Sequence, residues 1–446
     1  MKLETTNDPR EQAALEIVRR LKQEGYAAYL VGGCVRNRIM GIPSPDIDIA
    51  TDAPPGTIED LFQRTISVGA RFGVVIVISG DILTEVATFR SDGEYLDHRH
   101  PSKVHFSDAR RDAIRRDFTI NSLFWDPLTG EVLDFVEGRR DIEKGIIRSI
   151  GNALERFRED ALRLLRAVRF ASRFSFTIEA KTWKALKQNA DLIRSISPER
   201  IREELVKILT GPNPGVALDL LEKSGLLKIV LPEIQALKGV PQPEAFHPEG
   251  DCFEHTKLAL EWLRNPSPVL AMGCLLHDVG KPPTFREADR IRFDNHTRVG
   301  EKMARAVCRR LKFSNADRKA IQDLVARHMH FLSVRDMKKS TLKRFLSHPN
   351  IEEDLELHRA DCLSSHGDLE NYHFCVEKLR EFRREEKKLI PPPLLTGHDL
   401  IEAGYKPGPL FKKILDSVQE SQLEGEIKTR DAALVFVKQR FPREDS

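Results

Sequence analysis

Tyr29-Leu30-Val31-Gly32-Gly33-Cys34-Val35-Arg36, with Asp46-Ile47-Asp48 shortly after it, is the stretch on which the reading of this chain turns. An apolar run ends in two glycines and opens a helix-compatible segment with Arg36 in its first turn. Backbone N–H groups and a guanidinium can therefore converge on a phosphate. If Asp46-Ile47-Asp48 runs on as a strand, its period of two puts both carboxylates on one face, spaced for hard divalent cations. Taken singly, a double glycine before a helix is a tight turn and D-x-D is a solvated strand end. Their order and closeness make them complementary halves of a nucleotide site.

Upstream, residues 10–24 read as an amphipathic helix with Ala13, Ala14, Ile17, Val18 and Leu21 at helical spacing and Gly25 behind it. Downstream, Asp52-Ala53-Pro54-Pro55 opens a short helix, and two strands, Gly73 to Ile78 and Ile82 to Phe89, turn at Ser79-Gly80-Asp81. Glu85 is the charged residue of an otherwise apolar strand, so it must be solvated, paired or metal-linked. Ser91 to Pro101 is polar and without period, a mobile loop by composition. Glu159 to Phe170 reads as a helix on which Asp160, Arg163, Arg166 and Arg169 recur every third residue along one side.

The double glycine with its aspartate pair resembles the nucleotidyltransferase head of the DNA polymerase β superfamily. Later segments narrow the resemblance to the class II tRNA nucleotidyltransferase and bacterial poly(A) polymerase family. Arg115-Arg116-Asp117-Phe118-Thr119-Ile120-Asn121 matches that family's R-R-D-F-T-x-N, with Ser122 where alanine is common, and Asn37 departs from the aspartate of G-G-x-V-R-D. The resemblance implies magnesium (Mg2+) on Asp46, Asp48 and Glu85, the catalytic carboxylates. Nucleotide contacts then fall to Gly32, Gly33, Arg36, Arg116, Asn121, Asp160, Arg163, Arg166 and Arg169. Arg116 suits a triphosphate clamp, with Asp117 and Asn121 expected to hold it. Cytosine and adenine share an amine donor beside a bare ring nitrogen. Asp160 can accept from the amine while Arg163 donates to the nitrogen, and uracil and guanine turn both contacts repulsive, at about 1–3 kcal/mol each. The E-D-x-x-R pattern of Glu159 to Arg163 is what the family uses to select CTP and ATP without a template. A loop as long as Ser91 to Pro101 goes with enzymes able to add A.

From about residue 180 the pattern is almost entirely helical and punctuated by prolines, resembling the family's neck and body, where the tRNA acceptor arm lies. A second site follows. Val269 to Leu276 is an apolar helix ending in His277-Asp278-Val279-Gly280-Lys281-Pro282, and a His-Asp pair at a buried helix end is not left unpaired. With His255 upstream and Asp361 downstream the set resembles the H…HD…D of the HD phosphohydrolase superfamily. His296 and His328 complete a two-metal version holding a divalent transition metal of open identity. The activity this implies is phosphatase or 2′,3′-cyclic phosphodiesterase; a structural metal or a decayed site stays open.

The 446 residues, 40% hydrophobic and 31% charged, point to two to four domains of an ordinary globular protein. No run of about 18 apolar residues occurs and Met1 to Thr5 carries no signal core, so a cytoplasmic location without membrane contact is expected. Six scattered cysteines without a C-x-x-C pair read as packing residues in a reducing compartment. The net charge of +3 does not itself indicate nucleic acid, but arginines cluster in the first half of the chain.

The expected fold class is α+β. A polymerase β-like nucleotidyltransferase head with a mixed sheet (1–150) is followed by a mostly all-α remainder: neck and body (151–244), HD domain (245–380) and helical tail (381–446). The expected function is addition of C, C and A to tRNA 3′ ends from CTP and ATP. Alternatives are an A-adding enzyme, a poly(A) polymerase, or a non-catalytic tRNA-binding protein with HD hydrolysis alone. The oligomeric state stays open.

Overall fold

The computed structural model describes residues 3–67, 73–92, 104–287, 289–385 and 389–442. Most of the expected mobile loop, residues 93–103, lies outside the described residues. The chain forms two units, Met1–Gln235 with Arg310–Phe313, and Ala236–Arg309 with Ser314–Ser446.

The first unit starts with a helix, Pro9–Gln23, whose Arg10 N–H donates to the Asp8 carboxylate and whose apolar face buries Ala14, Ile17, Val18 and Leu21. Eleven strands follow among its described residues, of which the first nine are β1 (Ala28–Val31), β2 (Asp48–Thr51), β3 (Thr65–Ser67), β4 (Val74–Ser79), β5 (Ile82–Thr88), β6 (Arg90–Asp92), β7 (Val104–Phe106), β8 (Leu123–Trp125) and β9 (Val132–Asp134). Seven of them form a mixed sheet in the order β3-β4-β5-β2-β1-β8-β9, while β6 and β7 pair separately. The two-residue turn expected at Ser79-Gly80-Asp81 is present: Ser79 faces Ile82 across the hairpin and Gly80 takes φ 62°. The register places Val31 opposite Asp48 on antiparallel β1 and β2, and Asp48 opposite Glu85 on parallel β2 and β5. The glycine turn and two carboxylates therefore meet at one end of three adjacent strands.

Beyond the sheet, helices Pro198–Leu209 and Pro214–Ser224 each begin with proline, which has no N–H to leave unsatisfied there. The segment read as one helix from Glu159 is two, Ala153–Glu159 and Leu162–Phe174. Asp160 at the break is extended, at φ −139° and ψ 102°, and its Oδ1 accepts the Leu162 N–H at 3.1 Å. The side-chain acceptor competes with helical continuation.

Among the described residues the second unit is helical apart from loops and a hairpin of Phe285–Glu287 with Ile291–Phe293, which agrees with the almost entirely helical reading beyond residue 180 while adding a short strand pair to it. Helix Pro268–Leu276 packs on Asn315–Arg327 at Gly273, where an added Cβ would lie 2.6 Å from Leu324 Cδ1. Residues beyond the Pro391-Pro392-Pro393 boundary have a core of their own, built on Leu395, Leu400, Tyr405, Ile414 and Val418. All six cysteines are buried and unpaired, in keeping with packing roles.

Candidate active site and metal centre

A cavity of about 470 Å³ opens beside the double glycine of the first unit, lined by eight arginines (36, 90, 115, 116, 163, 166, 169, 173) and three aspartates (48, 117, 160). That excess of positive charge suits a polyanion. Gly32 takes φ 73°, and a Cβ there would sit 3.2 Å from Arg116 Nη1, so the bare backbone lets the guanidinium approach the turn. Arg36 is buried under Phe170 and Phe174, its centre 5.2 and 4.6 Å from their rings. Burial, then the nearby charges of Arg173 and others, lower it to about 10. Its hydrogen-bond acceptors are neutral: Asn121 Oδ1, and Asn37 Oδ1 at 2.8 and 3.1 Å. Asn37 thus retains an acceptor where the family pattern has a carboxylate, without cancelling the charge.

Arg116 is not held as expected. Asp112, 1% exposed, takes Arg116 on Oδ2 at 2.9 and 3.0 Å and Arg115 on Oδ1 at 2.7 and 2.9 Å, while Asn121 reaches Arg116 only through its carbonyl at 3.5 Å. Burial works against the Asp112 charge, but the two guanidinium groups outweigh it and its pKa is lowered. Asp117 instead holds Arg166, at 2.5 and 2.8 Å, and receives Asn121 Nδ2 at 3.0 Å. Asp160 lines the cavity from the helix break and Arg163 from the first turn beyond it. Arg163 donates to Glu159 Oε2 (2.9 Å), the Arg156 carbonyl (3.0 Å) and the Arg115 carbonyl (2.9 Å). Arg169 pairs with Glu204 at 2.7 Å.

Asp48 is pushed up to about 6, first by burial and then by the charge of Glu85, with Asp46 adding to it. A divalent cation would relieve such crowding, and the donors are all carboxylate oxygens, which fit magnesium. Asp46, exposed, precedes β2 by two residues. Among the described residues the groups of three or more ligating side chains within 4.8 Å lie in the second unit, so the three head carboxylates are electrostatically coupled but not gathered that tightly.

In the second unit, His255, His277 and Asp361 form one such group, and Asp278, His296 and His328 another. His277, His296 and His328 each direct Nδ1 at a backbone carbonyl, of Cys274 (2.6 Å), Phe293 (3.0 Å) and Val325 (2.8 Å). A carbonyl can only accept, so each ring carries a proton on Nδ1; burial disfavours charging His296 and His328, whose Nε2 atoms are then bare lone pairs. His296 and His328 bring these lone pairs within 3.4 Å of each other, an arrangement no proton bridges and a metal ion satisfies. Asp278, 1% exposed, lies between the groups, with Oδ2 3.3 Å from His277 and Oδ1 3.7 and 3.8 Å from His328 and His296. Its pairing with Lys281 at 2.6 Å steadies the carboxylate.

Burial resists charging His255, yet hydrogen bonds to Asp361 (3.0 Å) and Glu249 (2.7 Å) lift it to about 9, so this position favours positive charge. Glu249, to which the sequence reading gave no role, orients His255 through Nδ1. Asp112 was likewise missed. Its spacing of three and four from the two arginines was the available signal, and it looks like an ordinary helix-surface ion pair.

Residues 28–148 match the poly A polymerase head domain, 175–238 the family described as "Probable RNA and SrmB- binding site of polymerase A", and 252–365 the HD domain. The chain is 46% identical over 219 residues to the CCA-adding enzyme of Geobacillus thermodenitrificans, 49% of this chain and 54% of that protein. It thus spans about half the length of the first of these relatives. A crystal structure of the Bacillus stearothermophilus CCA-adding enzyme in complex with CTP superimposes with a TM-score of 0.72, at 29% identity over 97% of this chain and 98% of that one. The CCA-adding enzyme of Lactobacillus johnsonii aligns over 427 residues, 95% of each chain, at 31% identity. That end-to-end likeness places the chain in the CCA-adding enzyme family, in the branch that carries an HD domain.

Proposed function

We propose that this chain adds C, C and A in turn to tRNA 3′ ends, using CTP and ATP and no template. One observation carries the reading: a cavity rich in arginine opens at a glycine turn, and Asp48 and the Asp160–Arg163 pair are all part of its lining. The family's own members, one of them solved with CTP, support it. Arg36 and Arg116 bind the triphosphate. Asp46, Asp48 and Glu85 would hold magnesium, which when bound would supply charge neutralisation at the 3′-hydroxyl and at the leaving pyrophosphate. Asp160 accepts from the base amine. Arg163 exchanges one of its present acceptors for the ring nitrogen, and Glu159 keeps hold of the guanidinium meanwhile. Arg166 and Arg169, anchored on Asp117 and Glu204, add positive charge near sugar and phosphates. Positioning and charge neutralisation provide the catalysis, with no covalent intermediate.

The test offers tRNA lacking CCA with CTP alone, then with both nucleotides, to wild type and Asp46→Ala. Two C followed by one A from wild type, with no transfer by the variant, supports the reading. Addition of A alone identifies an A-adding enzyme, and long A tracts a poly(A) polymerase. Equal behaviour of both proteins refutes the transferase role.

A second activity is favoured by two adjacent ligand sets, His255–His277–Asp361 and Asp278–His296–His328, with Asp278 Oδ2 3.3 Å from His277 of the other set. The HD centre is proposed to hydrolyse phosphate esters or 2′,3′-cyclic phosphates at damaged tRNA ends, its histidines and aspartates holding divalent transition metals. The segment division at residues 150, 244 and 380 belongs to the same proposal.

A further inference from the structure

Arg200, which no motif singled out, touches the Asp160 carboxylate. It lies on helix Pro198–Leu209, and its Nη2 is 3.2 Å from Asp160 Oδ2 and 3.4 Å from Oδ1. Both side chains are about one-fifth exposed (22% and 21%), so the pair is shielded from water but not sealed. Among the described residues the Asp160 carboxylate has one further partner, the Leu162 N–H on Oδ1, and it is not fixed by a helix because it sits at the break. With a single backbone contact on one oxygen, the carboxylate would be free to swing about χ2; Arg200 stops that swing. One turn further along the same helix, Glu204 holds Arg169, so this helix backs two charged residues of the cavity wall. Arg200 Nη1 is buried without a hydrogen-bond partner among the described residues, leaving the guanidinium committed to Asp160 through one nitrogen.

We infer that Arg200 is a specificity-determining positioning residue: by pinning the Asp160 carboxylate as an acceptor facing the cavity, it sets the preference for amine-bearing bases. This rests on the transferase reading above. Arg200 is not among the residues that line the cavity. Its loss therefore acts on the comparison between bases more than on turnover with the correct one.

The experiment measures kcat/KM for CTP against UTP and for ATP against GTP, in wild type, Arg200→Met and Arg200→Lys, with thermal midpoints alongside. Methionine keeps the apolar stem and removes the fork. The expected result is a fall of about tenfold in both ratios for Arg200→Met, with a smaller fall for Arg200→Lys, the size of one mis-set polar contact. A folded Arg200→Met with wild-type ratios overturns the inference, however much its rate falls. If Arg200→Met does not fold, Arg200→Lys decides by the same ratios. Wild type that transfers neither C nor A overturns the transferase reading instead, which nucleotide-binding measurements on the same proteins would separate from a loss of base preference.

Discussion

Replacing Asp117 by asparagine tests the charge logic of the cavity. Asp117 is 8% exposed and its two oxygens are divided: Oδ2 takes both Arg166 contacts, and Oδ1 takes the Phe118 N–H at 2.8 Å and Asn121 Nδ2 at 3.0 Å. Burial raises the pKa of this carboxyl, but the Arg166 charge and the hydrogen bonds of Asn121 and Arg166 outweigh burial and bring it to about 2, from 3.8. At about 1.36 kcal/mol per unit, that gap contributes about 2.4 kcal/mol of stability at neutral pH. Because the folded value is the depressed one, the contribution is complete above the unfolded value of 3.8 and is lost as pH falls through about 2. Only about 1.3 kcal/mol remains at pH 3. Asparagine keeps the shape but offers one oxygen, so either Arg166 or the Phe118–Asn121 pair faces an N–H. Urea unfolding followed at Trp125, 2% exposed in β8, reports the head once Trp183 and Trp262 are changed to phenylalanine. With a slope of about 2 kcal/mol per molar, Asp117→Asn should lower the midpoint by about 1 M at pH 7 and by roughly half of that at pH 3. An equal shift at both pH values, or none at pH 7, would refute the argument.

Gly32→Ala places a Cβ 3.2 Å from Arg116 Nη1 at φ 73°; we expect about 1–2 kcal/mol of lost stability and a raised KM for both nucleotides, read by urea melts and steady-state kinetics. Glu249→Gln removes the charge behind His255, and metal titration of the purified protein should show affinity reduced about 10- to 100-fold at that position, with transfer by the head unchanged. Gly280→Ala would set a Cβ 2.1 Å from the His296 carbonyl and 2.7 Å from the Gly300 nitrogen, so the second unit should lose several kcal/mol, seen as a large drop of its thermal transition.

What could be read from sequence was what lies close together along it. Gly32-Gly33 and Asp46-Ile47-Asp48 announce themselves because a turn and a strand are local objects, and His277-Asp278 because two polar residues end an apolar helix. The break at Asp160 was hidden: leucines keep helical spacing through it, with no glycine or proline to mark it, and the aspartate two residues before Leu162 is the one local hint of a cap. The partners of the arginines were out of reach for another reason. Glu204 lies 35 residues beyond Arg169 and Arg200 lies 40 beyond Asp160, and only tertiary packing pairs them. Asp117 was visible, but which of many arginines it grips is decided by the tertiary packing that brings helix Leu162–Phe174 against it, and no spacing encodes that.

The carbonyl of Arg115 has one more implication. It accepts from Arg163, and the next residue in the chain is Arg116. Should Arg163 turn to a base, as the proposed function requires, it would give up this hydrogen bond, at a cost on the order of 1 kcal/mol. That cost would act as a return spring, favouring the resting pose once the base has left.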